Sequence, residues 1–218
     1  RSIIQNVTLN NTSLNLSKFL GSSIKNSEFI KCEIDETDFK DAEINNVKWS
    51  DITLTTAENI PINLPDCNFI NCKISDKDFS DGNLKNTKFI NTFFSNDSFR
   101  NSELNNAVFK ESILPGTDMT GAMLNRAEFN GSNLNKAVFH NADLTDAVFI
   151  NSELAESDIT SAKLDRTLFT EAKLKSANLT KTTLNSARFE KSDLSQSFLS
   201  ECIFIGAQFI ESNISAST

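Results

Sequence analysis

Large apolar residues recur at every fifth position of this chain, in one phase from Ile4 to Ile214. Of the 43 positions in that phase, 42 are Ile, Leu, Phe, Met or Trp, and Asn59 alone departs. Two residues before each stands a small one, mostly Ala, Ser, Thr or Cys, and the other three positions are largely polar. Residues 141–154, NADLTDAVFINSEL, show three such units in a row. A period of five matches neither the 3.6 of a helix nor the 2 of a strand. A second period explains the first. Written in columns twenty residues apart, one set of apolar positions reads Leu9, Phe29, Trp49, Phe69, Phe89 and then Phe in every row to Phe209. Its neighbours are mostly Ile and Leu. Aromatic residues can segregate in this way only if residues twenty apart touch. Four five-residue units therefore make one coil, and the coils stack. Hydrogen-bonded like strands about 4.8 Å apart, about eleven coils form a rod with one large and one small residue pointing inward from each side.

The units Ala142-Asp143-Leu144 and Ala177-Asn178-Leu179 follow an A(D/N)LXX pattern that resembles the pentapeptide-repeat family, and the resemblance covers essentially the whole chain. It implies an all-β, right-handed quadrilateral parallel β-helix; the handedness comes from the resemblance alone. It implies little about activity, because a fold does not fix a function.

Composition narrows the reading. The net charge of −8 and pI of about 4.8 disfavour direct nucleic-acid binding through phosphates and leave open an acidic surface that meets a basic partner. No apolar run reaches the length of a membrane span. Cys32, Cys67, Cys72 and Cys202 all occupy the small inward position. They read as small buried residues rather than zinc ligands, which favours a reducing compartment, either the cytoplasm or a host cell into which the protein is secreted. There is one histidine, His140, there are no tyrosines, and no glycine-rich phosphate loop occurs. No catalytic set, metal site or cofactor is expected. The chain begins at Arg1 and shows no capping helix, so it is expected to be a fragment or to pair at its ends. End-to-end or side-by-side self-association is open.

The unbroken phase argues for one solenoid over residues 1–218. Its disturbance is residues 55–66, TTAENIPINLPD, with Asn59 at an inward position and two prolines that cannot donate ladder bonds. Because Trp49 and Phe69 keep their column, this segment is expected to be a loop or bulge of unchanged residue count. Three features are candidates for function. Asp38, Glu58, Asp78, Asp118 and Asp158 share an outward column, thickened by Glu36, Asp41, Asp76 and Asp81. Ile30, Ile70, Ile90, Ile150 and Ile210 share another, which reads either as sheet-stabilising apolar residues or as a docking strip. Lys77 and Asp97, the only charged residues at the small inward position, are expected to form, with Asn59, an irregular inward polar cluster.

The reading that best fits is a non-catalytic protein-interaction scaffold, in the manner of one domain of a larger bacterial, effector-like protein. The alternative is a DNA-mimicking regulator of a type II topoisomerase, DNA gyrase. The acidic column supports it and the resemblance to the quinolone-resistance branch suggests it, but the C-terminal dimerising helix of that branch has no counterpart here.

Overall fold

The computed structural model describes residues 2–218; Arg1 lies outside them. Fifteen three-residue strands, from Ile3–Gln5 to Gln208–Ile210, are present among the described residues, and no helix. All pairing is parallel with a separation of twenty, as in Ile4↔Ile24, Phe69↔Phe89 and Phe169↔Phe189. Single bridges such as Asn133↔Glu153 continue the same register where the strands shorten. The result is a four-sided parallel β-solenoid of about ten turns. Numbering from the first coil, its faces carry residues 3–5, 8–10, 13–15 and 18–20, here called the first to fourth faces.

Each coil bonds both neighbours. The Leu134 amide donates upward to Glu153 O at 2.7 Å, and the Glu153 amide donates back to Ser132 O at 2.9 Å. Outside residues 55–66 the chain bends at each corner through a left-handed residue two after the apolar centre, as at Asn91 (φ 48°) and Asn141 (φ 56°). Asn and Asp tolerate this region better than other residues with a Cβ. They also use their side chains there. Asn71 Nδ2 donates to Asp51 Oδ1 at 2.9 Å, and Asn91 Nδ2 to Asn71 Oδ1 at 2.9 Å. A second such row joins Asp66, Asn86 and Asn106. The abundance of asparagine is thus a demand of the corners and not merely of a wet surface.

Inside, the aromatic column is continuous. Successive ring centroids lie 4.9 Å apart from Phe89 to Phe109, 5.0 Å to Phe129, 4.8 Å to Phe149 and 4.9 Å to Phe169, nearly parallel throughout. Alanines such as Ala107, Ala127 and Ala137 are fully buried at the small position. Several buried hydroxyls there find a carbonyl one coil below, as Thr167 Oγ1 does on Leu144 O at 2.8 Å, and others bond within their own coil, as Ser102 Oγ does on Phe99 O at 2.7 Å. The cysteines take the same place. All four are free, and Cys72 Sγ donates to Trp49 O at 3.4 Å. Burial pushes the Cys67 thiol up to about 12 and that of Cys72 up to about 11, so neither is a ready nucleophile.

Residues 55–66 depart from expectation in one respect. Asn59 does not point inward. It adopts φ 49° and is exposed, its Nδ2 donating to Asp38 Oδ1 at 2.8 Å. Ile60 packs against the core instead. A carboxamide in an apolar core would go unpaired, so a one-residue slip of the backbone exchanges it for a hydrophobe. Ile62 is turned out, 39% exposed, and Leu64 restores the phase. First-face pairing runs through Ile3–Gln5, Ser23–Lys25 and Glu43–Asn45 and stops there, where the next coil offers Pro61 and Pro65. An open cleft of about 370 Å³ marks the break, lined by Ile44, Asn45, Pro61, Asn63 and Pro65 among others. Gly82 accommodates the detour, since a Cβ there would sit 2.3 Å from Ile62 O. Limited proteolysis should therefore cut first between residues 58 and 63, before any site in residues 100–200. A first cut in the later coils would show that this segment is held as firmly as they are.

Candidate functional site

Asp97 is buried at 4% exposure, and both its oxygens accept backbone amides: Lys77 N–H on Oδ1 and Ser95 N–H on Oδ2, each at 2.8 Å. Burial nevertheless pushes its carboxyl up to about 6, against the pull of those two donors, with the Asp76 charge adding to the rise and that of Lys77 opposing it. The Lys77 side chain turns the other way. Its Nζ donates to Thr55 O at 3.0 Å and Ala57 O at 2.8 Å. In a regular coil those carbonyls would accept the amides of residues 36 and 78, and neither bond forms here. Lys77 therefore splints the irregular segment by taking over two carbonyls that the ladder abandons. Burial lowers its pKa, and the Asp97 and Asp76 charges oppose the fall. The expected contact between Lys77 and Asp97 thus exists through the Lys77 backbone amide and not as an ion pair, because the ammonium is taken by the carbonyls. Asn59, expected beside them, lies outside this cluster.

The acidic column stands on the fourth face. Asp38, Asp78, Asp118 and Asp158 each accept the backbone amide two residues on, from Lys40, Ser80, Thr120 and Thr160, at 2.9 to 3.0 Å. Asp143 and Asp193 on other faces do the same with Thr145 and Ser195. This turn bond is a reason for Asp at the position wherever it occurs. Hydrogen bonds from Asn59 and Lys40 lower the Asp38 pKa, and those from Ser80 lower that of Asp78. Arg100 Nη1 donates to Asp118 Oδ2 at 2.8 Å. Glu58 is exposed and bridges by backbone to Asp38. The column is discontinuous, since Ser98 and Val138 occupy two of its rows.

The isoleucines stand on the second face, half a coil away, and are half-buried. Only Ile70 and Ile90 are register neighbours. Ser50 follows Ile30, Lys110 follows Ile90, Thr170 follows Ile150, and Glu190 precedes Ile210. They form one close pair and three isolated positions, not a strip.

Among the described residues no group of three His, Cys, Asp or Glu side chains could hold a metal ion, and no helix is long and apolar enough to cross a membrane. His140 Nδ1 is paired with Thr160 Oγ1 at 2.7 Å on the fourth face.

A four-sided parallel solenoid with a five-residue inward alternation defines a narrow structural class. A family model described as pentapeptide repeat region matches residues 62–139 and 125–199, and one for pentapeptide repeats matches residues 184–218. The chain belongs to the pentapeptide-repeat family. No curated protein matches it. Among solved structures it is similar to HetL, a pentapeptide repeat protein involved in heterocyst differentiation regulation from the cyanobacterium Nostoc sp. strain PCC 7120. That match has 18% identity and a TM-score of 0.63, covering 99% of this chain and 88% of that one. A pentapeptide repeat protein from the Arabidopsis thaliana thylakoid lumen is 30% identical over 44% of this chain and 66% of its own, with a TM-score of 0.43. The plasmid-mediated fluoroquinolone resistance protein QnrB1 is 18% identical over 99% of this chain and 92% of its own, with a TM-score of 0.38. At these identities the HetL likeness speaks for the fold.

Proposed function

We propose that this protein is a non-catalytic scaffold that binds protein partners through the flat faces of its solenoid. The observation that carries this reading is the contrast between two opposite faces of one rod. The fourth face carries carboxylates, with Asp38 and Glu58 adjacent and Asp78, Asp118 and Asp158 on alternate coils, and the second carries the Ile70–Ile90 pair beside Lys88 and Lys110. Side chains held in such rows lose little further freedom on binding, which favours recognition by rigid surfaces. Its test is photo-crosslinking in the native cells, with a benzophenone amino acid placed singly at Asp78, Ile90, Ile113 and Lys163 so that every face is sampled. Discrete protein adducts from one face and not the others are expected. Absence of adducts from all four would sink the scaffold reading. A gyrase supercoiling assay addresses the alternative, and neither inhibition nor protection at micromolar protein is the expected result.

A further inference from the structure

One corner of the rod combines apolar exposure with a charge opposite to that of the whole molecule. It joins the second and third faces of the fourth to sixth coils, where the chain turns at Asn71, Asn91 and Glu111. On one side of it Ile70 and Ile90 are register neighbours, and on the other Phe93 bridges Ile113. Phe93 is 39% and Ile113 42% exposed. Both are outward residues on mid-rod coils, so neither the core nor the open ends of the solenoid accounts for them. Lysines surround them: Lys73 pairs in register with Phe93, Lys88 stands on the Ile90 strand, and Lys110 pairs with Ile90. Several other cations are spent between coils, as Lys85 is on Glu103 at 2.7 Å, Arg166 on Asp146 at 2.6 Å and Lys173 on Glu153 at 2.9 Å, while Lys31 and Lys191 form no ion pair among the described residues but lack the apolar neighbours Phe93 and Ile113. Lys73 and Lys88 have no ion-pair partner among the described residues, and Lys110 has only Glu111 at 3.8 Å. The carboxylate one coil below on this corner row, Asp51, accepts Asn71 Nδ2.

We propose that this corner is a docking surface for an acidic, apolar segment of a protein partner. The inference rests on the scaffold reading and assigns it a place and a partner chemistry. Apolar side chains rimmed by unpaired cations are the complement of a segment that mixes Leu- or Phe-like residues with carboxylates. A second copy of this chain fits poorly. A twofold contact would set lysines against lysines. The acidic face of another rod brings Asp78, Ser80, Ser98 and Arg100 at the same height, with no apolar row.

The test is selection of a phage-displayed random-peptide library on the whole protein. Peptides rich in Asp or Glu and in large apolar residues should be enriched, and their affinity should fall with salt. Replacing Phe93→Asp together with Ile113→Asp should weaken them by at least about tenfold, as should Lys73→Glu with Lys88→Glu. All four side chains point outward, and fluorescence of the buried Trp49 checks that each variant remains folded. Failure to enrich peptides, enrichment of basic ones, or unchanged affinity for the Phe93→Asp, Ile113→Asp protein would each overturn the assignment. Peptides that bind another face would overturn it while leaving the scaffold reading in place, which the crosslinking judges independently.

Discussion

Replacing Phe129 with alanine should destabilise the rod by about 3–5 kcal/mol, the usual cost of removing a buried ring. Phe129 is fully buried, stacked 5.0 Å from Phe109 and 4.8 Å from Phe149, and edge-on to Phe139 at 5.9 Å. Neighbours cannot close the void easily, because the coils on either side hold their rings at the ladder spacing. For a chain of this length the loss corresponds to a fall in melting temperature on the order of 10 °C. Phe209 provides the internal contrast. It ends the same column but is 37% exposed, so Phe209→Ala should cost much less. Thermal melts followed by circular dichroism, with Trp49 as a second probe, read both. A Phe129→Ala protein that melts with the parent would mean that the column does not carry the fold.

What the sequence made legible was whatever repeats with the core. The Phe column, the coil length and the small inward position all follow from the side chains that must be hidden, and burial imposes a period on them. The outward pattern was harder to read. Asn71, Asn86, Asn91 and Asn106 look like interchangeable polar residues until the left-handed corner and its amide row are in view. Asn59 shows a second limit. Counting in fives assumes that each backbone step is alike, so it cannot see a slip that turns Asn59 out and brings Ile60 in within an unchanged total. Gly82 was the available signal, a residue with no side chain directly above the segment that needs the room. The isoleucine column shows the reverse error. A shared column does not make a strip when Ser50, Lys110, Thr170 and Glu190 interrupt it. Phe93 and Ile113 lie in a column otherwise polar, so a reading based on columns passed over the more exposed pair.

Removing the Lys77 side chain should unfasten the irregular segment. Its ammonium makes two charge-assisted bonds to Thr55 O and Ala57 O, and loss of both should cost about 2–3 kcal/mol. Lys77→Met keeps most of the stem and should cost nearly as much, since the bonds and not the methylenes fasten the carbonyls. Asp97 behaves differently. Its two backbone bonds survive in Lys77→Ala, because they use main-chain amides. The two residues are therefore coupled only through space. A double-mutant cycle should return an interaction of about 1 kcal/mol or less, not near-complete recovery. The sign of the pH effect then isolates Asp97. Its folded pKa of about 6 lies above its usual 3.8, so the folded state binds the proton more tightly than the unfolded one. That contribution is fully present below pH 4 and is lost as pH rises to 6, amounting to about 3 kcal/mol at most. Asp38 and Asp78, whose pKa values are lowered, act oppositely and below this window, where their contribution is lost as pH falls. Asp97→Thr, which installs the residue found at Thr37 and Thr117 of the same column, should abolish the decline between pH 4 and 6 while leaving the acid limb in place. Parallel melting curves for parent and Asp97→Thr across that window would mean that Asp97 is solvated rather than enclosed. A large recovery in the double mutant would restore a direct pair with Lys77.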